Sequence, residues 1–243
     1  IIVNMDEFYK HLKQFGRVKT NVPLAKYTTF QIGGPARFFV KVDETDKLVG
    51  LLNFLSGEGI DYLMLGGGSN LLFSDDGFDG VVIKLQNAEC RLQNSDVIGA
   101  EAGVMLGQVL SLTMEQGLSG FEWAIGVPGT IGGAVRGNAG AYGGSTGDSV
   151  LKIEVWENGE TREMGKEECG FCYRGSDLKK NRGIVVLRAW FQFAPGDKIE
   201  VVSKVQGYLE RRKNRFPSYP SAGCFVANIK LDKWPGDRSI LLP

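Results

Sequence analysis

A chain of 243 residues with 28 basic and 28 acidic side chains carries no net charge to draw it to nucleic acid or to an anionic membrane surface. Its 43% hydrophobic content is that of a globular protein, and it contains neither a run of eighteen apolar residues nor a signal-peptide core, so a soluble, cytoplasmic chain is expected. Four cysteines, at 90, 169, 172 and 224, fit a reducing compartment, and glycine is the outlier, at 34 positions without a collagen-like period.

Met5, Phe8, Tyr9, Leu12 and Phe15 recur at helical spacing, which predicts a first helix capped by Gly16, with the single histidine, His11, on its solvated side. ARFFVKV (36–42) reads as a strand. A helix follows, started by Asp43 or Thr45 and stopped near Gly57. DYLMLG (61–66) and GVVIKL (80–85) read as buried strands, and VMLGQVLSLTMEQG (104–117) as a helix ending on Gly117. Asn158-Gly159 between alternating residues predicts a hairpin, and GIVVLRAWFQFA (183–194) a long strand. Beyond Pro195-Gly196 a last helix is expected to carry Val202, Val205 and Leu209 inward and to finish on Arg211, Arg212 and Lys213, where the helix dipole favours cations. The mixture of hairpins and helices without regular alternation gives an α+β fold, with a boundary at Pro195-Gly196.

Two glycine-rich segments stand out. Residues 63–85 read LMLGGGSNLLFSDDGFDGVVIKL, with neither the G-x-G-x-x-G opening of a dinucleotide-binding βαβ unit nor a phosphate-binding G-x-x-x-x-G-K-[ST] loop. What remains is a tight turn in which the successive N–H groups of Gly67, Gly68, Ser69 and Asn70 form an anion-binding nest, or else a purely structural turn. Residues 126–144 read GVPGTIGGAVRGNAGAYGG. Gly126, Pro128 and Gly129 make a turn there; Gly132, Gly133 and Gly137 let backbone approach something flat and large; Asn138 tolerates left-handed geometry and can bond a ring edge. Two such segments separated by a helix are expected to face each other across one cleft. The Cys169-x-x-Cys172 pair has no histidine nearby for zinc and no thioredoxin-like context, so a reduced structural pair is expected and no metal.

Five stretches together resemble the UDP-N-acetylenolpyruvoylglucosamine reductase family: YTTFQIGGPARF (27–38), LGGGSNLLFSDDGFDGVVI (65–83), GFEWAIGVPGTIGGAVRGNAGAYGG (120–144), CGFCYRGS (169–176) and RFPSYPSAGCFVAN (215–228). The resemblance implies an FAD domain of the vanillyl-alcohol-oxidase (PCMH) type in two parts, 1–84 and 85–195, followed by a substrate domain, 196–243. It implies hydride transfer from NADPH to FAD and on to an enolpyruvyl ether of UDP-N-acetylglucosamine, giving UDP-N-acetylmuramate for peptidoglycan. It also implies an FAD bed made by Thr29, Ile32, Gly33, Gly66, Gly67, Gly68, Ser69, Asn70 and Leu71 on one side. The other side would be Gly126, Pro128, Gly129, Gly132, Gly133, Asn138, Ala139, Gly140 and Ala141.

By the same resemblance Arg174 clamps and polarises the substrate carboxylate, with Tyr173 beside it. Cys224 stands where the family places a serine proton donor; a thiol, with an ordinary pKa of ~8.5, remains able to donate at neutral pH. Ser221, Gly223, Arg215 and Asn228 would hold the nucleotide sugar, although the Lys and Pro that flank the family's asparagine are Ala227 and Ile229 here. The family's C-terminal glutamate has no counterpart after Glu210, so either the chain is a fragment or its substrate domain is short by nature and another group does that glutamate's work. Nothing demands more than a monomer, and no motif separates NADPH from NADH. Two other readings stay open. One is a flavin-dependent oxidase of the same fold, which would lack Arg174 and the PSAG motif. The other is a catalytically incomplete flavin- or nucleotide-binding protein.

Overall fold

The computed structural model describes residues 5–86, 88–213 and 219–223. The first part runs α1 (Met5–Leu12), β1 (Arg17–Pro23), β2 (Pro35–Val42), α2 (Thr45–Gly57), β3 (Tyr62–Met64) and β4 (Phe78–Leu85). Its sheet has the order β1-β2-β4-β3, with β1 antiparallel to β2, and β2 and β3 both parallel to β4. Side chains alternate across a strand, and the core obeys that period of two. Phe38, Val40 and Val42 of β2 and Val81 and Ile83 of β4 face α1 and α2, while Phe39 and Val82 face a second cluster with Leu24, Leu65 and Phe73. In α2, Leu48, Leu51, Leu52 and Leu55 lie on one stripe and are all fully buried.

The second part contributes β5 (Cys90–Leu92), β6 (Val97–Glu101), α3 (Leu106–Gln116), β7 (Leu118–Ser119), α4 (Ile131–Gly137), β8 (Gly140–Ala141), β9 (Gly144–Ser145), α5 (Thr146–Ser149), β10 (Val150–Glu157), β11 (Glu160–Gly165), α6 (Asp177–Lys180), β12 (Ile184–Gln192) and β13 (Ala194–Pro195). Five of these strands form an antiparallel sheet in the order β11-β10-β12-β6-β5. The β10–β11 turn puts Asn158 at φ 51° and Gly159 at φ 96°, the left-handed pair that an Asn-Gly hairpin requires. The two halves interlock. Trp156 of β10 and Val185 and Leu187 of β12 complete the core under α2, and the Trp156 indole N–H donates to Asn53 Oδ1 at 2.6 Å.

Several expectations need correction. α1 ends at Leu12, and i→i+3 bonds from Gln14 to His11 and from Phe15 to Leu12 tighten the exit before Gly16. Gly16 is not the cap; a Cβ there would strike the Lys41 carbonyl of β2. His11 is half-buried, its ring 4.0 Å from that of Phe54, because α2 covers the side of α1 read as solvated. Residues 131–137 are not a bare backbone wall but a helix, α4, with Ile131, Ala134 and Val135 buried at helical spacing. Glycine's poor helix propensity hid that pattern.

α7 (Lys198–Lys213) buries Val201 and Val205, whereas Val202 and Leu209 are only half-buried. It is fastened at two further points. The Tyr142 and Tyr208 rings stack at 4.6 Å and 7°. Glu122, only 2% exposed, accepts from Ser119 Oγ at 2.8 Å, from the Gly120 N–H at 2.8 Å and from the Lys204 ammonium at 3.3 Å. Burial pushes the Glu122 pKa up, but backbone and Ser119 hydrogen bonds, with Lys204 beyond them, outweigh it and hold the carboxyl below its ordinary value. Among the described residues no helix is long and apolar enough to cross a membrane.

A carboxyl depressed in the folded state contributes stability that is fully present above its unfolded pKa of ~4.3 and lost as pH falls through its lower folded value. Glu122→Gln should therefore cost about 1.5–3 kcal/mol in urea unfolding at neutral pH. The gap to the wild-type chain should close progressively as unfolding is repeated at acid pH below that window.

Candidate functional site

β3 feeds directly into the first glycine turn, and every residue of that turn is held from outside. The half-buried Lys84 of β4 donates its ammonium to the Gly66 carbonyl at 2.6 Å; burial, and then Lys41, pull its pKa down. The Thr29 N–H donates to the Gly68 carbonyl at 3.1 Å. Gly68 sits at φ +66°, where a Cβ would strike the Tyr27 carbonyl. Ser69 Oγ donates to the Pro128 carbonyl at 2.9 Å, and a Cβ on Gly67 would lie 2.9 Å from Gly129 Cα. The two glycine segments thus meet backbone to backbone, as two sides of one cleft.

A third segment closes on the same point. The Ser221 N–H donates to the Thr29 carbonyl at 3.1 Å, Thr29 Oγ1 donates to the Ser221 carbonyl at 2.7 Å, and Asn70 Nδ2 donates to the Ala222 carbonyl at 3.1 Å. The cleft that results has a volume of about 1550 Å³. Small-molecule pockets run to ~300–1,000 Å³, so this one has room for a dinucleotide and a second ligand. Its described lining carries five cations, Arg136, Arg174, Lys179, Arg182 and Arg212, against one acid, Asp61. The backbone N–H groups of Gly67, Gly68 and Ser69 donate to no described backbone carbonyl. Free amide donors on a turn cleared of side chains, inside a cationic cleft, fit the diphosphate of a flavin dinucleotide.

Of the residues singled out in the sequence, Thr29, Gly66, Gly67, Gly68, Ser69, Asn70 and Leu71 line this cleft. So do Pro128, Gly129, Gly132, Gly133, Ala139, Gly140 and Ala141, and Arg174, Ser221 and Gly223. Others do not. Ile32 and Gly33 lie behind the turn, where the Ile32 carbonyl accepts from Thr28 Oγ1 and a Cβ on Gly33 would press on Phe73. Gly126 instead lies against the Arg212 side chain, which a Cβ would meet at 2.8 Å. Asn138 is left-handed, as read, at φ 43°, but its amide is used within the protein: Nδ2 donates to the Cys172 carbonyl at 2.8 Å and Oδ1 accepts from the Gly147 N–H at 2.8 Å. Both ends of its amide thus anchor the turn, and it is not part of the cleft lining. Tyr173 is 63% exposed and outside the cleft lining. Cys224, Arg215 and Asn228 lie outside the described residues.

The turn that Asn138 anchors carries Arg174. Cys172 and Gly175 exchange both backbone hydrogen bonds, at 2.9 and 3.1 Å, leaving Tyr173 and Arg174 at the tip. Arg174 has φ 61°. Left-handed geometry costs a side chain about 1–2 kcal/mol, and glycine would escape that cost. An arginine at such a position, facing a cleft, is a functional signal. In the neighbouring CxxC pair, burial and then Glu168 push the Cys169 thiol up to about 11, so it stays protonated; Cys172 is exposed.

Sequence reasoning missed Tyr62, Arg136, Tyr142, Lys179, Arg182 and Arg212, all of which line the cleft. Arg136 is pinned by two hydrogen bonds to backbone, to Ile184 at 2.9 Å and Asn181 at 3.3 Å, and burial lowers its pKa. The cationic run 179–182 was the available signal, but in sequence it is indistinguishable from a solvated face.

The family model described as an FAD binding domain matches residues 35–165. The chain is 39% identical to the UDP-N-acetylenolpyruvoylglucosamine reductase of Caldanaerobacter subterraneus subsp. tengcongensis, over 90% of this chain and 72% of that one. The reductase of Caldicellulosiruptor bescii is 40% identical, over 89% and 70%. The chain belongs to the UDP-N-acetylenolpyruvoylglucosamine reductase family. A crystal structure of the family's enzyme from Thermus caldophilus superposes with a TM-score of 0.77 at 33% identity, covering 88% of this chain and 76% of that one. The α+β architecture with a PCMH-type FAD domain is that of this family.

Two substitutions separate scaffold from site. Gly67→Ala should push the glycine turns apart, costing about 1–3 kcal/mol in denaturant unfolding and weakening flavin binding in the same protein. Arg174→Gly should leave stability within about 1 kcal/mol of the wild-type chain, since relief of the left-handed strain offsets the added freedom of the unfolded state. Its effect should fall on turnover alone, measured by steady-state kinetics.

Proposed function

We propose that this chain uses NADPH to reduce UDP-N-acetylglucosamine enolpyruvate to UDP-N-acetylmuramate, a step in building peptidoglycan precursors, with FAD as the bound carrier. The observation that carries this reading is the joining of two glycine turns across a cationic cleft in a chain of this family, with a strained arginine facing in. FAD, when bound, supplies the hydride acceptor and donor.

The chain's own residues do the rest. The amide donors of Gly67, Gly68 and Ser69 hold the diphosphate, and Gly129 and Pro128 close the other side. Arg174 fixes the substrate carboxylate with a permanently charged, planar fork and stabilises the negative charge that builds there when hydride reaches the adjacent alkene. Cys224 then gives a proton to the neighbouring carbon from its thiol. Ser221 and Gly223, next to the first glycine turn, hold the sugar nucleotide with Arg215, Asn228 and Tyr173. We assign residues 1–84 and 85–195 to the two parts of the FAD domain and 196–243 to the substrate domain, in a cytoplasmic monomer.

Anaerobic absorbance spectroscopy tests the reading. NADPH should bleach the bound flavin, and enolpyruvyl-UDP-N-acetylglucosamine should restore its colour; a flavin that bleaches and stays reduced would refute the substrate assignment. In the same assay Cys224→Ser should remain active, while Cys224→Ala should lose about 10²–10⁴ in reoxidation by substrate with NADPH reduction unchanged. Equal losses in both half-reactions would remove Cys224 from the proton-donor role.

A further inference from the structure

The cleft extends well past the diphosphate turn. Tyr62 opens β3 and precedes Gly66 by four residues, so it stands about 13 Å back along the strand from the turn, at ~3.3 Å per residue. This end is walled by Ile60 and Tyr62 on one side and by Ile184 and Val185 on the other. Arg136 lines it as well, fixed to the Asn181 and Ile184 carbonyls, and the exposed Lys179 and Arg182 stand at the rim.

The charge arrangement here is unfavourable for the protein alone. Lys179 and Arg182 side chains make no ion pair or hydrogen bond among the described residues, although Lys180 between them pairs with Asp177 at 2.6 Å. Arg182 moreover sits close enough to Arg136 to help lower its pKa, after burial, which is repulsion between two guanidinium groups. Like charges left facing each other on a cleft wall are relieved by an anionic or electron-rich ligand between them. Apolar walls of this kind accept a flat ring, and a guanidinium stacks on such a ring as readily as it pairs with a phosphate.

We propose that Lys179 and Arg182 hold the adenosine end of the cofactor and thereby make the cleft select FAD over FMN. The assignment rests on the flavin reading above. That reading places the redox-active end beside Arg174 and the diphosphate over Gly67–Ser69, which leaves the Tyr62–Val185 end for the nucleoside. Both residues are exposed, so their replacement leaves the core untouched.

The test is titration of the apoprotein with FAD and FMN, followed by flavin fluorescence, and competition of FAD binding by ADP. The wild-type chain should prefer FAD, and ADP should displace it. Lys179→Ala/Arg182→Ala should bind FAD at least ten-fold more weakly, with a shallower salt dependence, should bind FMN within two-fold of wild type, and should lose competition by ADP. Arg182→Lys should recover part of the FAD affinity. Unchanged FAD affinity in the double variant, equal weakening of FAD and FMN, or undiminished ADP competition would each overturn the proposal while leaving the cofactor assignment standing. A wild-type apoprotein that fails to bind FAD would overturn both.

Discussion

Gly67 and Gly129 touch backbone to backbone, and no other residue type allows that contact. Much of the site depends on it. Ser69 reaches the Pro128 carbonyl because the turns are this close, and the Gly129 carbonyl accepts from the Leu106 N–H, which ties the junction to the start of α3. The residues that carry the amide donors of the first turn thereby line the cleft. Glycine loses more freedom on folding than other residues, so each of these positions costs entropy. The close approach, and the anion-binding geometry it produces, is what that cost supports.

Legibility from sequence tracked how local each signal was. The Asn158-Gly159 hairpin, the helix α2 with its stop near Gly57 and the Gly117 cap of α3 were readable because neighbours in the chain determine them. β1 was not, since RVKTNVP alternates weakly and is a strand because β2 lies beside it. α4 was hidden by its own glycines; at Gly132 a Cβ would press on Ala102, just after β6, a tertiary reason rather than a local one. His11 was misplaced for a similar reason: its neighbour Phe54 is forty-three residues away in sequence and 4.0 Å away in space.

The site divides along the same line. The glycine turns and Arg174 were legible as motifs, and most of those residues do line one cleft. Asn138 was read as a ligand-facing amide because its residue type suits that role. Its actual partners, Cys172 and Gly147, come from the loop it organises, so it supports Arg174 from behind. The cations Arg136, Lys179 and Arg182 escaped notice because in a chain of zero net charge a few lysines and arginines carry no information until folding gathers them.

The shared core beneath α2 has a mechanical consequence. Trp156, Val185 and Leu187 belong to the second sheet by hydrogen bonding and to the first part by packing, so the two halves are riveted beneath the cleft, with Val185 serving both the shared core and the cleft wall. Halves joined in this way cannot swing apart to admit a dinucleotide without breaking a packed interior. The 219–223 strap, by contrast, is held over the first turn by a few hydrogen bonds to Thr29 and Asn70. The lobes themselves form a fixed mould rather than a jaw.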